Sequence, residues 1–433
     1  MMKCYLVIGF MLCFSNTYSQ QSFSTDTTGK AYSDALSSLY SSRNEIFLDG
    51  LKSTTTDKKL LKHYESHYKA IFKGLNEEIK EGQMIFIPVI SAALEKIMLE
   101  IKTKNPSVPG DVQLFLLRDD HPNAITIGDN SIFVNLGLFY YLETEDQVAS
   151  VLSHEVGHLM LKHTIKTLNY NYERDKESVV NVKALRETEV KKADRAFDLL
   201  KNSIYKGGKM RRCHEMQADS IGYVLHKNTR YQKNAFIEAL ERIELYDTAV
   251  TGDVYIETYK RLFDLPGQKF DDKWLQAEDF SSYNYKSFTQ KLDKDSVSTH
   301  PETEERIAYL ETIFPELKQK NAPATGTGAF TEIKSAAEAE RMPNLYFNER
   351  YGEIVFASLL ALQKNPADVI YKEWLGKGLQ KIYEARRDYT LNKYLDRVAP
   401  KEQTASYMRF LNFMWNLKLD EINNMADFYT VKK

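Results

Sequence analysis

The strongest constraint on this chain is a six-residue block at 153–158, in which two histidines four residues apart enclose a glutamate. On a helix, side chains four residues apart lie one turn above each other on the same face. His154 and His158 can therefore reach a single metal ion, and Glu155 can act on the water that the ion activates. A pattern this short also arises by chance, so its meaning depends on the surrounding sequence.

The residues around this block predict an amphipathic helix with a defined start. Thr144 and Gln147 have the spacing of a capping box. Gly157 costs about 1 kcal/mol relative to alanine inside a helix, so we expect another element to approach closely there. Apolar residues recur at helical spacing through the block, at positions 148, 151, 152, 156 and 159.

A second block supplies a candidate for the third metal ligand. Catalytic zinc sites use three protein ligands and leave one position open. Glu215 and Asp219 lie about one turn apart on a predicted helix. Glu215 can complete the ligand set, while Asp219 can accept a hydrogen bond from a ligand histidine and fix its tautomer. The alternative is an ordinary acidic helix face, but the preceding histidine helix favours a metal site.

Five blocks, in order along residues 85–315, resemble the motifs of the zinc metallopeptidase family that includes the HtpX heat-shock protease and the CAAX prenyl protease. The named members span the membrane. After its N-terminal apolar run, this chain has no apolar stretch as long as a transmembrane helix, so it resembles the soluble, secreted or periplasmic branch of the family. The blocks are 123–128, 137–138, 153–158, 215–219 and 299–301, the last followed by Arg306 and Ile307.

The resemblance implies a mainly helical α+β fold: a zincin-like metallopeptidase core with a small sheet, and a C-terminal helical region. It implies one zinc ion per chain, held by His154, His158 and Glu215, with Glu155 as general base. His300 would hydrogen-bond the oxyanion of the tetrahedral intermediate, and the alternative is a structural residue at a helix start. An extended substrate would pair with an edge strand that contains Asn123, Ala124, Ile125 and Thr126.

The N-terminus predicts export. Lys3 precedes an apolar run at 4–14, and small or polar residues follow up to a cleavage site near Ser19 or Gln20. This is the pattern of a signal peptide over residues 1–20, and the run is too short to favour the alternative of a membrane anchor. We expect a periplasmic or secreted protein without an internal disulfide, because Cys213 is its only mature cysteine.

Charge balance and the pattern of helices and linkers predict the partners and the segments of the rest of the chain. The 58 basic and 60 acidic residues nearly balance, so nothing indicates a nucleic-acid partner. Residues 371–385 resemble half of a tetratricopeptide hairpin, and we expect the C-terminal helices to bind a protein partner. The predicted segments are an N-terminal helical segment at 21–84, a metallopeptidase domain at 85–315, a linker at 316–330 and a C-terminal helical region at 331–433.

Three predictions concern the surroundings of the site. Residues 179–204 predict one long amphipathic helix that ends at Gly207 and Gly208, either as a lid over the cleft or as packing. His163, five residues after His158, is expected to be exposed. Cys213 is expected to be a buried, inert thiol.

The functional prediction is a zinc endopeptidase that hydrolyses proteins outside the cytoplasm, in envelope protein quality control. The alternative is a metal-binding chaperone or scaffold that acts chiefly by protein binding, and the intact Glu155 argues against it. A thermolysin-like peptidase is a further alternative. Its third ligand usually lies much closer in sequence than Glu215 does here, and the block at His300 also disfavours it.

Overall fold

A computed structural model describes residues 30–186, 192–248, 252–277, 302–319, 328–399 and 403–430. The chain is mainly helical with one small sheet, so the predicted α+β class is confirmed. The predicted signal peptide and His300 lie outside the described residues. No helix within the described ranges is both long enough and apolar enough to cross a membrane.

The sheet has four strands, β1 (Met84–Ile85), β2 (Gln113–Leu117), β3 (Ala124–Thr126) and β4 (Ser131–Asn135), in the order β1-β2-β4-β3. β2 and β4 are parallel, and the other two pairings are antiparallel. The sequence Gly128-Asp129-Asn130 predicts a hairpin turn. The structure has this turn between β3 and β4, where Gly128 and Asn130 have positive φ angles of 89° and 64°.

Helices surround this sheet and form the C-terminal region. They are α1 (Lys30–Thr54), α2 (Lys58–Lys80), α3 (Pro88–Lys104), α4 (Leu138–Tyr141), α5 (Glu145–Met160), α6 (His163–Arg186), α7 (Lys192–Lys227), α8 (Ala235–Thr248), α9 (Ile256–Phe263), α10 (Thr303–Ile313), α11 (Gly328–Phe347), α12 (Tyr351–Lys364), α13 (Val369–Arg387), α14 (Ala405–Asn416) and α15 (Leu419–Thr430). Short 3-10 turns occur at Asp272–Leu275, Pro315–Lys318 and Leu391–Lys393.

Alternating side chains of the sheet bury two opposite faces. Phe115 and Phe133, paired across β2 and β4, stack at 5.4 Å and pack with Tyr40 of α1 on one face. Their neighbours Leu116 and Val134 belong to the cluster with α3 and α5 on the other face. This period of two places the sheet between the N-terminal helices and the helix that carries the histidine block.

Two helix boundaries differ from the sequence prediction. The apolar residues from about Ile85 to Ile101 predict one helix. In the structure, Met84–Ile85 is a strand and the helix begins at Pro88, where proline suits the first turn. The break expected at Gly207 and Gly208 is absent, because α7 runs without interruption from Lys192 to Lys227. Tertiary packing of this helix outweighs the cost of about 1 kcal/mol for each glycine.

The C-terminal helices form a second apolar cluster, and an earlier part of the chain belongs to it. Tyr259 and Phe263 of α9 and Trp274 are buried there, and all three rings contact Phe413 of α14. In the opposite direction, α11 packs into the cluster around the sheet through Phe330, Ile333 and Ala337. The segment at 252–277 therefore packs with the C-terminal helices, although it lies between α8 and α10 in sequence.

Candidate metal centre and active-site cleft

The site forms where α5 and α7 cross in near backbone contact. A Cβ atom built on Gly157 would lie 2.8 Å from the carbonyl oxygen of Ala218, and one built on Gly222 would lie 2.8 Å from Cα of His154. Only glycine permits this distance, so the close approach expected at Gly157 is confirmed. The crossing brings Glu215 and Asp219 of α7 next to the two histidines of α5.

His154, His158 and Glu215 converge on one point. Nε2 of His154 lies 3.1 Å from Nε2 of His158, and each of these nitrogens lies 3.5 Å from a carboxylate oxygen of Glu215. A tetrahedral zinc ion with bonds of about 2.0–2.1 Å separates its ligand atoms by about 3.3 Å. Two imidazoles and one carboxylate are also a donor set of catalytic zinc sites, so these residues fit the ion.

Asp219 links His154 to a buried arginine. Its Oδ1 lies 2.8 Å from Nδ1 of His154, and its two oxygens accept hydrogen bonds of 2.7 and 2.8 Å from Arg306. Burial opposes ionisation of Asp219, but the guanidinium of Arg306 outweighs it and lowers the pKa of the carboxyl to about 2. Asp219 is thus a buried anion held by Arg306 beside Nδ1 of His154.

The two histidines differ in charge when no metal is bound. Burial opposes the charged form of His154, but the carboxylates of Asp219 and Glu215 outweigh it and raise the pKa to about 10. Burial and the neighbouring His154 lower the pKa of His158 to about 3. A metal ion that enters the site must therefore displace a proton from His154, whereas His158 is already neutral.

Glu155 is buried and faces the cleft beside this cluster. In the absence of a metal ion, burial raises the pKa of its carboxyl to about 8, and the nearby Glu215 adds to the increase. Its position places this carboxyl where it can exchange a proton with a group that binds at the cluster.

His163 does not have the predicted exposure. It is buried, its ring stacks on His214 at 4.1 Å, and its Nδ1 lies 3.0 Å from Nδ1 of His158. The cause is a sharp turn after α5, where Lys162 has a positive φ of 53° and α6 starts in a new direction. The prediction for Cys213 was also wrong, because its side chain is exposed.

The cluster of His154, His158 and Glu215 lies in a cleft of about 770 Å³. One wall is β3, an edge strand with no partner on its outer side among the described strands, so Asn123, Ala124, Ile125 and Thr126 line the cleft as a group. Glu302, two residues after His300, also lines it. Among the described lining residues, none comes from the 176–205 segment, and Val179 and Leu200 on its helices are exposed.

The comparison with known families agrees with this geometry. The sequence model of peptidase family M48 matches residues 89–313, which include both metal blocks, β3 and Arg306. The chain belongs to peptidase family M48. The matched region contains the residues that converge in the cleft.

Among curated proteins, this M48 chain is similar to beta-barrel assembly-enhancing proteases. The protein of Escherichia coli K12 is 25% identical over 81 residues, which are 19% of this chain and 17% of that protein. The putative protein of Vibrio cholerae is 22% identical over 92 residues, or 21% and 19% of the two chains. The chain thus matches less than a fifth of the length of each of these relatives.

Proposed function

We propose that this M48 protein is a zinc-dependent endopeptidase that acts on proteins outside the cytoplasm. The observation that carries the proposal is the placement of Glu155 in the cleft, beside three side chains whose ligand atoms have the spacing of a tetrahedral zinc site. His154, His158 and Glu215 would hold the ion. When bound, zinc polarises the scissile carbonyl and lowers the pKa of water to about 7.

The residues of the chain divide the remaining work. Glu155 accepts a proton from the attacking water and returns it to the leaving amine as the C–N bond breaks. His300 donates a hydrogen bond to the oxyanion. This proposal is supported by Glu302, which lies two residues later in the sequence and lines the cleft. An extended substrate adds to the free edge of β3, whose backbone groups hold it across the metal cluster.

The test is Glu155→Gln, which keeps the size of the side chain and removes the base. We expect hydrolysis of a short peptide to fall about 10²–10⁴-fold, the usual contribution of general acid–base catalysis. Zinc content should remain one ion per chain. Glu145→Gln on the same helix is the matched control, because Glu145 forms only a partly exposed ion pair with Lys96 at 3.0 Å.

The same experiment separates the peptidase from the scaffold alternative. Hydrolysis that survives Glu155→Gln would show that Glu155 is not the base. Wild-type protein that binds zinc and a protein partner without hydrolysing any peptide would favour the chaperone or scaffold function.

A role in envelope protein quality control is the finer part of the proposal. The signal-peptide pattern at residues 1–20 and the similarity to proteases named for beta-barrel assembly support it. N-terminal sequencing of protein recovered from the periplasm or the medium tests export. We expect the mature chain to start near Ser19 or Gln20, and a full-length chain retained in the cytoplasm would contradict export.

We also propose that the C-terminal helices bind a protein partner or a protein substrate. The apolar side chains of Val369 and Ile370 at the start of α13 are both exposed. Adjacent exposed apolar side chains are typical of a surface that binds another protein. Replacing both by Asp should slow cleavage of a whole protein and leave a short peptide unaffected. Leu99→Asp is the control, because Leu99 is equally exposed on α3 of the other cluster.

A further inference from the structure

The metal ligand His158 is the first member of a chain of polar contacts that leads away from the cleft. Nδ1 of His158 lies 3.0 Å from Nδ1 of His163, and Nε2 of His163 lies 3.1 Å from Oε1 of Gln217. The amide nitrogen of Gln217 then lies 3.5 Å from Sγ of Cys213. His163 is therefore bonded through both ring nitrogens, and neither is free to turn toward the metal.

Only one arrangement of protons satisfies these contacts when the site binds a metal. His158 points Nε2 toward His154 and Glu215, so a neutral His158 ligand carries its proton on Nδ1 and donates it to His163. The acceptor on His163 is then Nδ1, and its own proton must be on Nε2. That N–H donates to Oε1 of Gln217, which can only accept.

The surroundings of His163 keep its ring in this role. The ring is buried and lies parallel to that of His214, with an interplanar angle of 9°. Because the Nε2 proton of this ring is donated to Gln217, the lone pair on Nδ1 is left as the acceptor for the His158 proton.

We propose that His163 and Gln217 are positioning residues that fix the tautomer and ring orientation of His158, so that its Nε2 lone pair is directed at the metal before the metal arrives. This inference rests on the proposed metal site. His154 and His158 are thereby held in different ways: a carboxylate orients His154, and a neutral imidazole–amide pair orients His158.

The test compares zinc affinity among variants, measured by competition with a chromophoric chelator. His163→Phe keeps an aromatic ring against His214 but removes the acceptor, and we expect zinc affinity to fall about 10–100-fold, as for other partners of ligand histidines. His163→Asn places an oxygen near the position of Nδ1 and should restore most of the affinity. His63→Phe is the control, because it makes the same chemical change on α2, and His63 lines neither the cleft nor the pocket around His163.

A second measurement detects the tautomer itself. Nitrogen-15 spectra of the histidine rings are recorded in metal-free protein that carries His154→Ala, so that no second imidazole can donate to Nε2 of His158. The proton of His158 should then lie on Nδ1, and adding His163→Phe should give a mixture of tautomers. If that variant does not fold, Gln217→Leu at an exposed position gives the same comparison, with His163 expected to lose its preference for the Nε2 proton.

The outcomes separate this inference from the proposed function. Equal zinc affinity and an unchanged His158 tautomer in His163→Phe, or in Gln217→Leu if it is used instead, would overturn the positioning role alone. A wild-type protein that binds no zinc would overturn the metal site, and the inference with it. A third outcome is that the variant loses zinc affinity and unfolds at a lower temperature without metal while the His158 tautomer is unchanged. That result would assign His163 to packing and would also overturn the proposal.

Discussion

The crossing of α5 and α7 predicts that a single methyl group can damage the site with little effect on the fold. In Gly222→Ala the new Cβ would lie 2.8 Å from Cα of His154. Ordinary contact between carbon atoms starts at about 3.5 Å, so the helices must separate by about 0.7 Å. Genuine metal sites tolerate deviations of only about 0.2 Å in their ligand distances. Glu215 would therefore move out of reach of an ion that the two histidines hold.

The effect on stability is small because two contributions oppose each other. Overpacking costs about 1–3 kcal/mol, and replacing glycine by alanine inside a helix returns about 1 kcal/mol. We expect the free energy of unfolding of the metal-free protein, measured in urea, to fall by no more than about 2 kcal/mol. Zinc affinity and kcat/KM should each fall on the order of 100-fold, as for other displacements of about 1 Å.

Gly207→Ala is the matched control on the same helix. Its Cβ would meet only Cε1 of Tyr170, at 3.9 Å, which is an ordinary contact. This variant should gain up to about 1 kcal/mol in stability and keep wild-type zinc affinity. If Gly222→Ala also keeps wild-type zinc affinity and hydrolysis, the close helix crossing is not what aligns the ligands.

Three further predictions test other parts of the structure. Arg306→Met leaves Asp219 buried without its guanidinium and should lower the free energy of unfolding by about 3 kcal/mol in urea titrations, and a loss below about 1 kcal/mol would contradict this. Zinc binding at pH 7.5 should release at least one proton, because the pKa of His154 is about 10 in the metal-free protein, and zinc affinity should rise with pH toward that value. Calorimetry in buffers of different ionisation enthalpy measures the number of protons released, and a value of zero would refute this prediction. Trp274→Ala should remove about 3–5 kcal/mol from the cluster that contains Phe413, and unchanged urea unfolding would show that the 252–277 segment does not support the C-terminal helices.

The candidate site was accessible to sequence reasoning where it depends on helical spacing. His154 and His158 share a face because they are four residues apart, and Glu215 and Asp219 do so on α7 for the same reason. The capped start of α5 was equally readable, since the backbone N–H of Gln147 does donate to Oγ1 of Thr144. These features need no knowledge of tertiary contacts.

Other features depend on contacts that no local pattern reveals. The predicted exposure of His163 assumes that the helix of His158 continues. Lys162 instead turns the chain with a left-handed conformation, which a lysine in the sequence does not indicate. The continuity of α7 through Gly207 depends on packing, which outweighs local propensity. The burial of Arg306 against Asp219 joins residues far apart in sequence, and only the block resemblance drew attention to this arginine.

Tyr259, Phe263 and Trp274 pack against helices that come much later in the sequence, and this has a consequence for how the protein is made. These aromatic side chains leave the ribosome long before Phe413 is available to cover them. The helix that carries Arg306, whose side chain contacts Asp219 of α7, follows them in the chain and precedes Phe413. The residues that line the cleft, up to Arg306, are therefore synthesised before the three rings can be covered, and a nascent chain carries those rings uncovered until its last helices are made.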